Sequence, residues 1–223
     1  MIIEIFFTKM LPGELLGSFS CELFSINMRD FIAIKYISLP KKPALNNVLI
    51  FTSRNAVKGF CQNFSAEILR GKKIFVVGDQ TAFLLEKLGV KVTIQKDYAR
   101  DFSLLNKDEL PKGPYDWFCG TRSLDHIADS LKGCSLNRYE VYHTSLCPYA
   151  LPGSYQAIIF FSPSAVISFF RKNSISQNTC YFAIGKTTSE ALSSAGVYEV
   201  FSPEKPSAIS LIQLIKKYFH ATK

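Results

Sequence analysis

Histidine, methionine and tryptophan are scarce in this chain, at three, three and one among 223 residues. His126, His143 and His220 stand far apart, so no close histidine pair is visible as a catalytic or metal-binding unit. No apolar run approaches the roughly 20 residues that a membrane-spanning helix needs; the run 157–161 is typical of the longest. The six cysteines, at 21, 61, 119, 134, 147 and 180, include no Cys-x-x-Cys pair. That spacing suits neither a disulfide framework nor a zinc site. The chain opens Met-Ile-Ile-Glu, with an acid where a secretory signal carries positive charge, and no small-residue cleavage site follows. These absences predict a cytoplasmic protein with no membrane span and no metal.

What is present is apolar residues at 48% and an excess of base, 26 Lys and Arg against 18 Asp and Glu, for a net charge of +8. The apolar share is that of a chain able to bury a core. A basic soluble protein suits nucleic acid, a membrane surface or a small polyanion. Nucleic-acid binders gather their charge into runs, whereas here the tightest groups are pairs such as Lys41-Lys42 and Lys216-Lys217. Most such pairs are a solvated surface. A diffuse positive field that attracts a small acidic molecule fits the pattern better than a nucleic-acid partner.

Short apolar runs alternate with amphipathic stretches almost from end to end. Strands are expected at 47–51, 73–77, 90–94, 117–119, 137–143, 157–161, 181–184 and 197–201. Helices are expected at 53–69, 80–88, 124–131, 164–171, 188–195 and 207–219. In the last of these, Ile209, Ile212, Ile215 and Phe219 follow helical spacing. Strand–helix alternation of this kind means parallel sheets flanked by helices, an α/β fold.

The chain also repeats itself. Val48-Leu-Ile-Phe-Thr-Ser-Arg-Asn-Ala-Val-Lys-Gly-Phe60 matches Ile158-Ile-Phe-Phe-Ser-Pro-Ser-Ala-Val-Ile-Ser-Phe169, with one residue fewer in the turn of the second copy. Ile74-Phe-Val-Val-Gly-Asp-Gln-Thr81 matches Tyr181-Phe-Ala-Ile-Gly-Lys-Thr-Thr188. Two similar parallel-sheet lobes are the natural product. The extended segments around Phe31–Pro40 and 137–152 precede the first and second copies. Paired as a two-stranded β ribbon, they would make residues 1–34 and 147–223 one lobe. Residues 41–137 would form the other lobe, inserted in the first, with 35–40 and 138–146 as the ribbon. A ligand cleft between the lobes is the expectation.

Chemistry concentrates where strands give way to helices. The groups are Thr52-Ser53 with Asn55, Gly78 to Thr81, Ser162 to Ser164 and Gly185 to Thr188, with a weaker fifth at Cys119-Gly120-Thr121-Arg122-Ser123. Helix N-termini at the carboxyl edge of a parallel sheet suit phosphates or carboxylates. Serine and threonine are also ordinary helix caps, worth about 1 kcal/mol each without any ligand. Five such groups around one cleft point to a ligand carrying several anions. Gly185-Lys186-Thr187 lacks the upstream glycine of a P-loop, and Gly78 to Thr81 lacks a dinucleotide fingerprint, so nucleotides are not expected. Acid–base machinery is thin. Tyr142 stands out because the ribbon carries it past the cleft mouth, where it serves either as a hydroxyl donor or as a packing residue.

Phe51-Thr-Ser-Arg-Asn-Ala-Val57, Val77-Gly-Asp-Gln-Thr-Ala82, Val141-Tyr-His-Thr144, Phe160-Phe-Ser-Pro-Ser-Ala165 and Ala183-Ile-Gly-Lys-Thr-Thr-Ser-Glu-Ala-Leu192 together resemble uroporphyrinogen-III synthase. The match runs in order from about residue 31 to the end, and Pro206 to Leu211 resembles the start of the family's last helix. The resemblance implies two α/β lobes on a two-stranded ribbon and a lyase that cyclises hydroxymethylbilane to uroporphyrinogen III in tetrapyrrole (haem) biosynthesis. It implies inversion of ring D, loss of water, no cofactor and a polycarboxylate substrate. By motif, substrate contacts fall to Thr52, Ser53, Thr81, Ser162, Thr187 and Thr188, with Asn55, Gly78, Gly120, Ser164 and Gly185 beside them, and Tyr142 aids departure of the terminal hydroxyl. Lys9 stands where the family usually has arginine, and Leu11 to Asp30 matches poorly. Nothing demands more than a monomer. The alternative reading is a non-enzymatic two-lobed protein that binds a tetrapyrrole or another small polycarboxylate.

Overall fold

The computed structural model of the chain describes residues 2–17, 19, 22–104, 113–123 and 125–221, the last of these by its backbone alone. Cys21 and the expected helix start at Leu124 lie outside the described residues. The chain opens with β1 (Ile3–Phe7), a short helix α1 (Gly13–Leu16), β2 (Phe24–Met28) and β3 (Ile32–Tyr36). Then follow β4 (Val48–Phe51), α2 (Arg54–Asn63), β5 (Lys73–Val77), α3 (Asp79–Lys87), β6 (Ile94–Lys96), β7 (Tyr115–Gly120), α4 (His126–Ser130) and β8 (Leu136–Leu146). The chain continues through β9 (Ala157–Phe160), α5 (Pro163–Phe169), β10 (Cys180–Ala183), α6 (Lys186–Ser194), β11 (Val200–Phe201) and α7 (Ala208–Ala221). No helix among the described residues is long and apolar enough to cross a membrane.

Contacts divide the chain into two compact units, Met1–Ala33 with Ser145–Lys223, and Ile34–Thr144. The first unit holds a parallel sheet in the order β11-β10-β9-β1-β2. The second holds β8-β7-β4-β5-β6, also parallel, with β3 added beside β8. The second order is the first with its two leading strands moved to the end of the chain. In each unit the winding reverses once, between β1 and β9 in the first and between β7 and β4 in the second. Such reversal points open a crevice at the carboxyl ends of the strands.

The β3 and β8 segments are joined by Ile37 N donating to Val141 O at 3.0 Å and Cys147 N to Phe31 O at 2.9 Å. These bonds step in opposite senses along the two segments, the antiparallel pattern.

The repeat is carried by aromatic interlock. Phe51 and Phe60 meet edge to face at 5.5 Å in one unit, and Phe160 and Phe169 do so at 5.2 Å in the other. Ser53 and Ser162 begin the helices two residues after β4 and β9 respectively. The turn of the second copy is therefore not shorter; the expected one-residue gap disappears when Val48 is set against Ala157. Asn63 ends α2 by donating to Gly59 O at 2.9 Å and Ile37 O at 2.8 Å, while its Oδ1 accepts from Leu39 N at 2.7 Å. Asn173 does the same after α5, to Phe169 O at 2.9 Å, Tyr149 O at 2.8 Å and from Leu151 N at 2.8 Å.

Several element boundaries differ from the sequence reading. The helix expected over 53–69 stops at Asn63, because Phe64 is extended and Ser65 caps a separate 3₁₀ turn, Ala66–Leu69. The strands expected at 90–94 and 197–201 begin later, at Ile94 and Val200. Val90 and Val197 instead finish the preceding helices: their N–H groups reach back to Leu85 O and Leu192 O, behind Gly89 and Gly196 at φ 72° and 95°. That is the Schellman ending, in which the apolar residue after the glycine folds back on the helix. On α7, Leu211, Ile212 and Ile215 are buried but Ile209 is exposed, two residues and more than half a turn from Leu211.

Candidate functional site

In the second unit the winding reversal puts the start of α2 beside the end of β7. Ser53 is extended, at φ −163° and ψ 158°, and its Oγ accepts from Ala56 N at 3.1 Å. This satisfies one of the four backbone donors that a helix start leaves unpaired. Thr52 just before it accepts from Trp117 Nε1 at 3.4 Å. Asn55 lies in the first turn of α2 and is half-buried.

Tyr142 reaches this point because β8 is irregular. Cys119 pairs with Glu140 but Gly120 pairs with Tyr142, so β8 spends an extra residue, Val141, on one step of β7. A bulge of this kind re-aims the side chains beyond it. The Tyr142 ring then lies on Gly120, where an added Cβ would stand 2.5 Å from ring carbons. Only glycine leaves that space. The Tyr142 hydroxyl is 3.1 Å from Ser53 Oγ. Beside it, Ser123 Oγ accepts from Gly120 N at 3.0 Å. Burial raises the phenol's pKa above the usual tyrosine value, while the bond to Ser53 and the nearby Ser123 hydroxyl pull it down and the nearby Cys119 pushes it up. Burial also pushes the Cys119 thiol up to about 11, with Arg138 opposing.

The other expected residues fall at neighbouring strand ends. Gly78, at φ 80°, starts α3 with no side-chain cap, and Thr81 is buried at 3% exposure in its first turn. In the first unit, Ser162 caps α5 through Ala165 N at 3.2 Å, with Ser164 half-buried in the first turn. Gly185 starts α6, again with no side-chain cap, followed by half-buried Thr187 and by Thr188 at 1% exposure. Each unit thus pairs one helix start closed by serine with one that glycine leaves without a side-chain cap. The glycine starts keep backbone N–H groups for an anion; the serine starts keep a hydroxyl hydrogen to donate.

Thr52, Ser53, Asn55, Gly120 and Tyr142 therefore cluster at one winding reversal, with Gly78 and Thr81 one strand further along. Ser162 and Ser164 end β9 in the other unit, and Gly185, Thr187 and Thr188 follow β10. Lys9, at the end of β1, lies over the Phe161 ring at 5.8 Å.

Three further groups were not singled out from sequence. Ser123 closes the Gly120 turn. Thr121 Oγ1 is 2.9 Å from His143 Nδ1 on the exposed side of β8. Tyr36 on β3 sits close enough to influence Tyr142, with Arg54 acting on it as well. Ser123 had a signal, its place in the fifth glycine-containing group; the pairings of Tyr36 and His143 had none. A surface cavity of about 330 Å³ lined by Leu69, Arg70, Gly89 and Lys91 lies at the opposite, amino edge of the second unit's sheet. It contains none of these residues.

The family model described as uroporphyrinogen-III synthase HemD matches residues 37–213, which takes in Tyr142 and the five strand-end groups but neither Lys9 nor Tyr36. Among solved structures, uroporphyrinogen-III synthetase from Helicobacter pylori 26695 matches with a TM-score of 0.66 and 19% identity, covering 97% of this chain and 100% of that one. A mutant uroporphyrinogen III synthase from the extremely thermophilic bacterium Thermus thermophilus gives 0.68 at 14% identity, over 99% and 98% of the two chains. Its wild-type counterpart in another crystal form gives 0.53 at 15%, over 99% of each. At these identities the structures speak for the fold. No curated protein sequence matches the chain.

Proposed function

The chain belongs to the uroporphyrinogen-III synthase family, and from that premise we propose that it cyclises hydroxymethylbilane to uroporphyrinogen III, inverting ring D and releasing water. The observation that carries this reading is the single family match across 37–213, through every strand-end group in both units. Membership supports an enzymatic role in tetrapyrrole biosynthesis; the residue roles below are the proposal.

The substrate's carboxylates are received by the glycine-started helices α3 and α6 and by hydroxyls at the serine-capped starts. Backbone N–H groups at such positions favour anions without any cationic side chain. The +8 net charge raises the encounter rate with a polyanion.

Tyr142 gives its proton to the terminal hydroxyl as the carbon–oxygen bond breaks. The adjoining pyrrole supplies the electron pair, so water leaves and a cationic azafulvene faces a phenolate. The substituted carbon of ring D attacks to give a spiro intermediate, which reopens and closes to the inverted ring. The proton lost on rearomatisation restores the phenol, and the sum is bilane to macrocycle plus water. Because the leaving group departs readily, most of the rate and all of the isomer choice come from positioning. No cofactor enters this scheme.

The test is the rate of hydroxymethylbilane loss. Loss faster than in buffer and proportional to protein concentration supports catalysis. Loss at the spontaneous rate with folded protein present overturns it and leaves the binding-protein alternative.

A further inference from the structure

Resting on the reading of Thr52 as a substrate contact, we propose that Trp117 is a positioning residue that fixes the Thr52 hydroxyl as a hydrogen-bond donor to a substrate carboxylate. An indole N–H can only donate. At 3.4 Å from Trp117 Nε1, Thr52 Oγ1 is therefore the acceptor of that pair. One lone pair of the hydroxyl is spent, and its hydrogen remains for another partner. Among the described residues nothing takes that hydrogen, although Thr52 is half-buried. An ionised carboxylate, which only accepts, completes the set.

The orientation is built across three neighbouring strands. Trp117 on β7 stands opposite Ile50 of β4 on one side and opposite Arg138 of β8 on the other. Its side chain is buried to 1% exposure in a cluster with Val48, Ile50, Phe75 and Ile127. Close packing of that kind holds the ring to one position. The Arg138 guanidinium covers the ring at 5.0 Å and is itself tied to Asp125 at 2.8 Å and Glu140 at 3.2 Å. Thr52 lies two residues beyond Ile50, which puts it on the face that carries Trp117. Tyr142 packs with Phe51 and Val57 in the cluster on the opposite face. The Thr52 contact is thus separate from the proton given by Tyr142. A carboxylate far from the reacting carbon is held alike in the bound substrate and at the barrier, so this contact acts on KM and not on kcat.

The chain has one tryptophan, so its ¹⁵N-labelled indole gives a single side-chain NMR signal. Thr52→Val, close in shape, removes the acceptor; the indole proton signal then moves upfield, and Thr52→Ser returns it. An unmoved signal in folded Thr52→Val overturns the proposal. With bilane as substrate, Thr52→Val and Trp117→Phe both raise KM. For Trp117→Phe the rise is about 2- to 10-fold, the range of one hydrogen bond, with kcat within about twofold. The double variant separates positioning from packing. If Trp117 acts through Thr52, adding Trp117→Phe to Thr52→Val leaves KM where it was. A further rise of the same size means a purely structural role and overturns the proposal. Should Trp117→Phe not fold, the Thr52 variants leave the core intact and carry the test through the indole signal and KM. Wild-type protein that leaves bilane to close unaided overturns the proposed function instead, and the indole signal still decides the bond between Thr52 and Trp117.

Discussion

Asn63 and Asn173 make the same three hydrogen bonds, each holding a backbone oxygen four residues back and the oxygen and N–H of a distant Xaa-Xaa-Leu segment that precedes a proline. Ile37 to Leu39 is held in one unit and Tyr149 to Leu151 in the other, the two stretches by which the chain enters each repeat. Removing either side chain takes the partner from one N–H and one carbonyl of the entering segment, Leu39 and Ile37 in one unit and Leu151 and Tyr149 in the other. Asn63→Ala and Asn173→Ala should each cost about 2–3 kcal/mol, read as a lower urea midpoint. A loss under about 0.5 kcal/mol would show that water replaces the clamp.

Ser168 occupies the place in α5 that Gly59 has in α2. Gly59 is required because its Cβ would stand 2.5 Å from Val141 O, whereas Ser168 is fully buried and its hydroxyl has no hydrogen-bond partner among the described residues. An unpaired buried hydroxyl costs stability, so Ser168→Ala should gain about 1 kcal/mol. A calorimetric Tm that rises by a few degrees fits; a fall would mean that the hydroxyl is satisfied in solution.

Gly120→Ala should displace the Tyr142 ring and destabilise the second unit by about 1–3 kcal/mol, the usual cost of forcing an extra methyl into a filled site. In a Tyr142→Ala background the same substitution should be nearly neutral. Equal costs in both backgrounds would show that Gly120 is needed for something other than the ring.

Cys119 should resist alkylation. With a pKa of about 11 and full burial, its thiolate is scarce at pH 8, and exposed Cys134 should react first. Peptide mass spectrometry of the native protein reads the order. The same shift sets a sign for stability. The unfolded chain gives up thiol and phenol protons at lower pH than the folded one, where burial raises Cys119, Tyr142 and Tyr181. That contribution is whole below the unfolded values, near 9 to 10, and is lost as pH climbs through the folded ones. Thermal unfolding should therefore shift downward above about pH 9. A Tm that rises between pH 9 and 11 would contradict this.

Much of this arrangement is legible along the chain. Four-residue apolar runs ending two residues before a serine announce β4 with α2 and β9 with α5, because strand burial and helix capping are local. The glycines at 78 and 185 mark the uncapped helix starts equally well. What is not legible is set at a distance. Val90 and Val197 look like strand residues but serve helix endings, since both uses need a buried apolar side chain. Tyr142 is visible as a tyrosine on an extended segment, yet only the bulge at Val141 turns it onto Gly120. Asn63 and Asn173 carry no signal at all, because their partners in the entering segments lie 22 to 26 residues away.

Replacing Tyr142 by phenylalanine keeps the ring on Gly120 and removes only the proton. Turnover of bilane should fall by about 10²-fold, at the low end for general acid catalysis, with KM little changed. An unaltered kcat would take Tyr142 out of the chemistry.

The most direct test is the identity of the macrocycle. Hydroxymethylbilane is generated in place, this protein is added, and the products are oxidised and separated as porphyrin isomers. Unaided closure gives isomer I, so the proposed positioning of ring D predicts a product that is predominantly isomer III, with its share rising as protein is increased. Isomer I alone, at every concentration of folded protein, would contradict it.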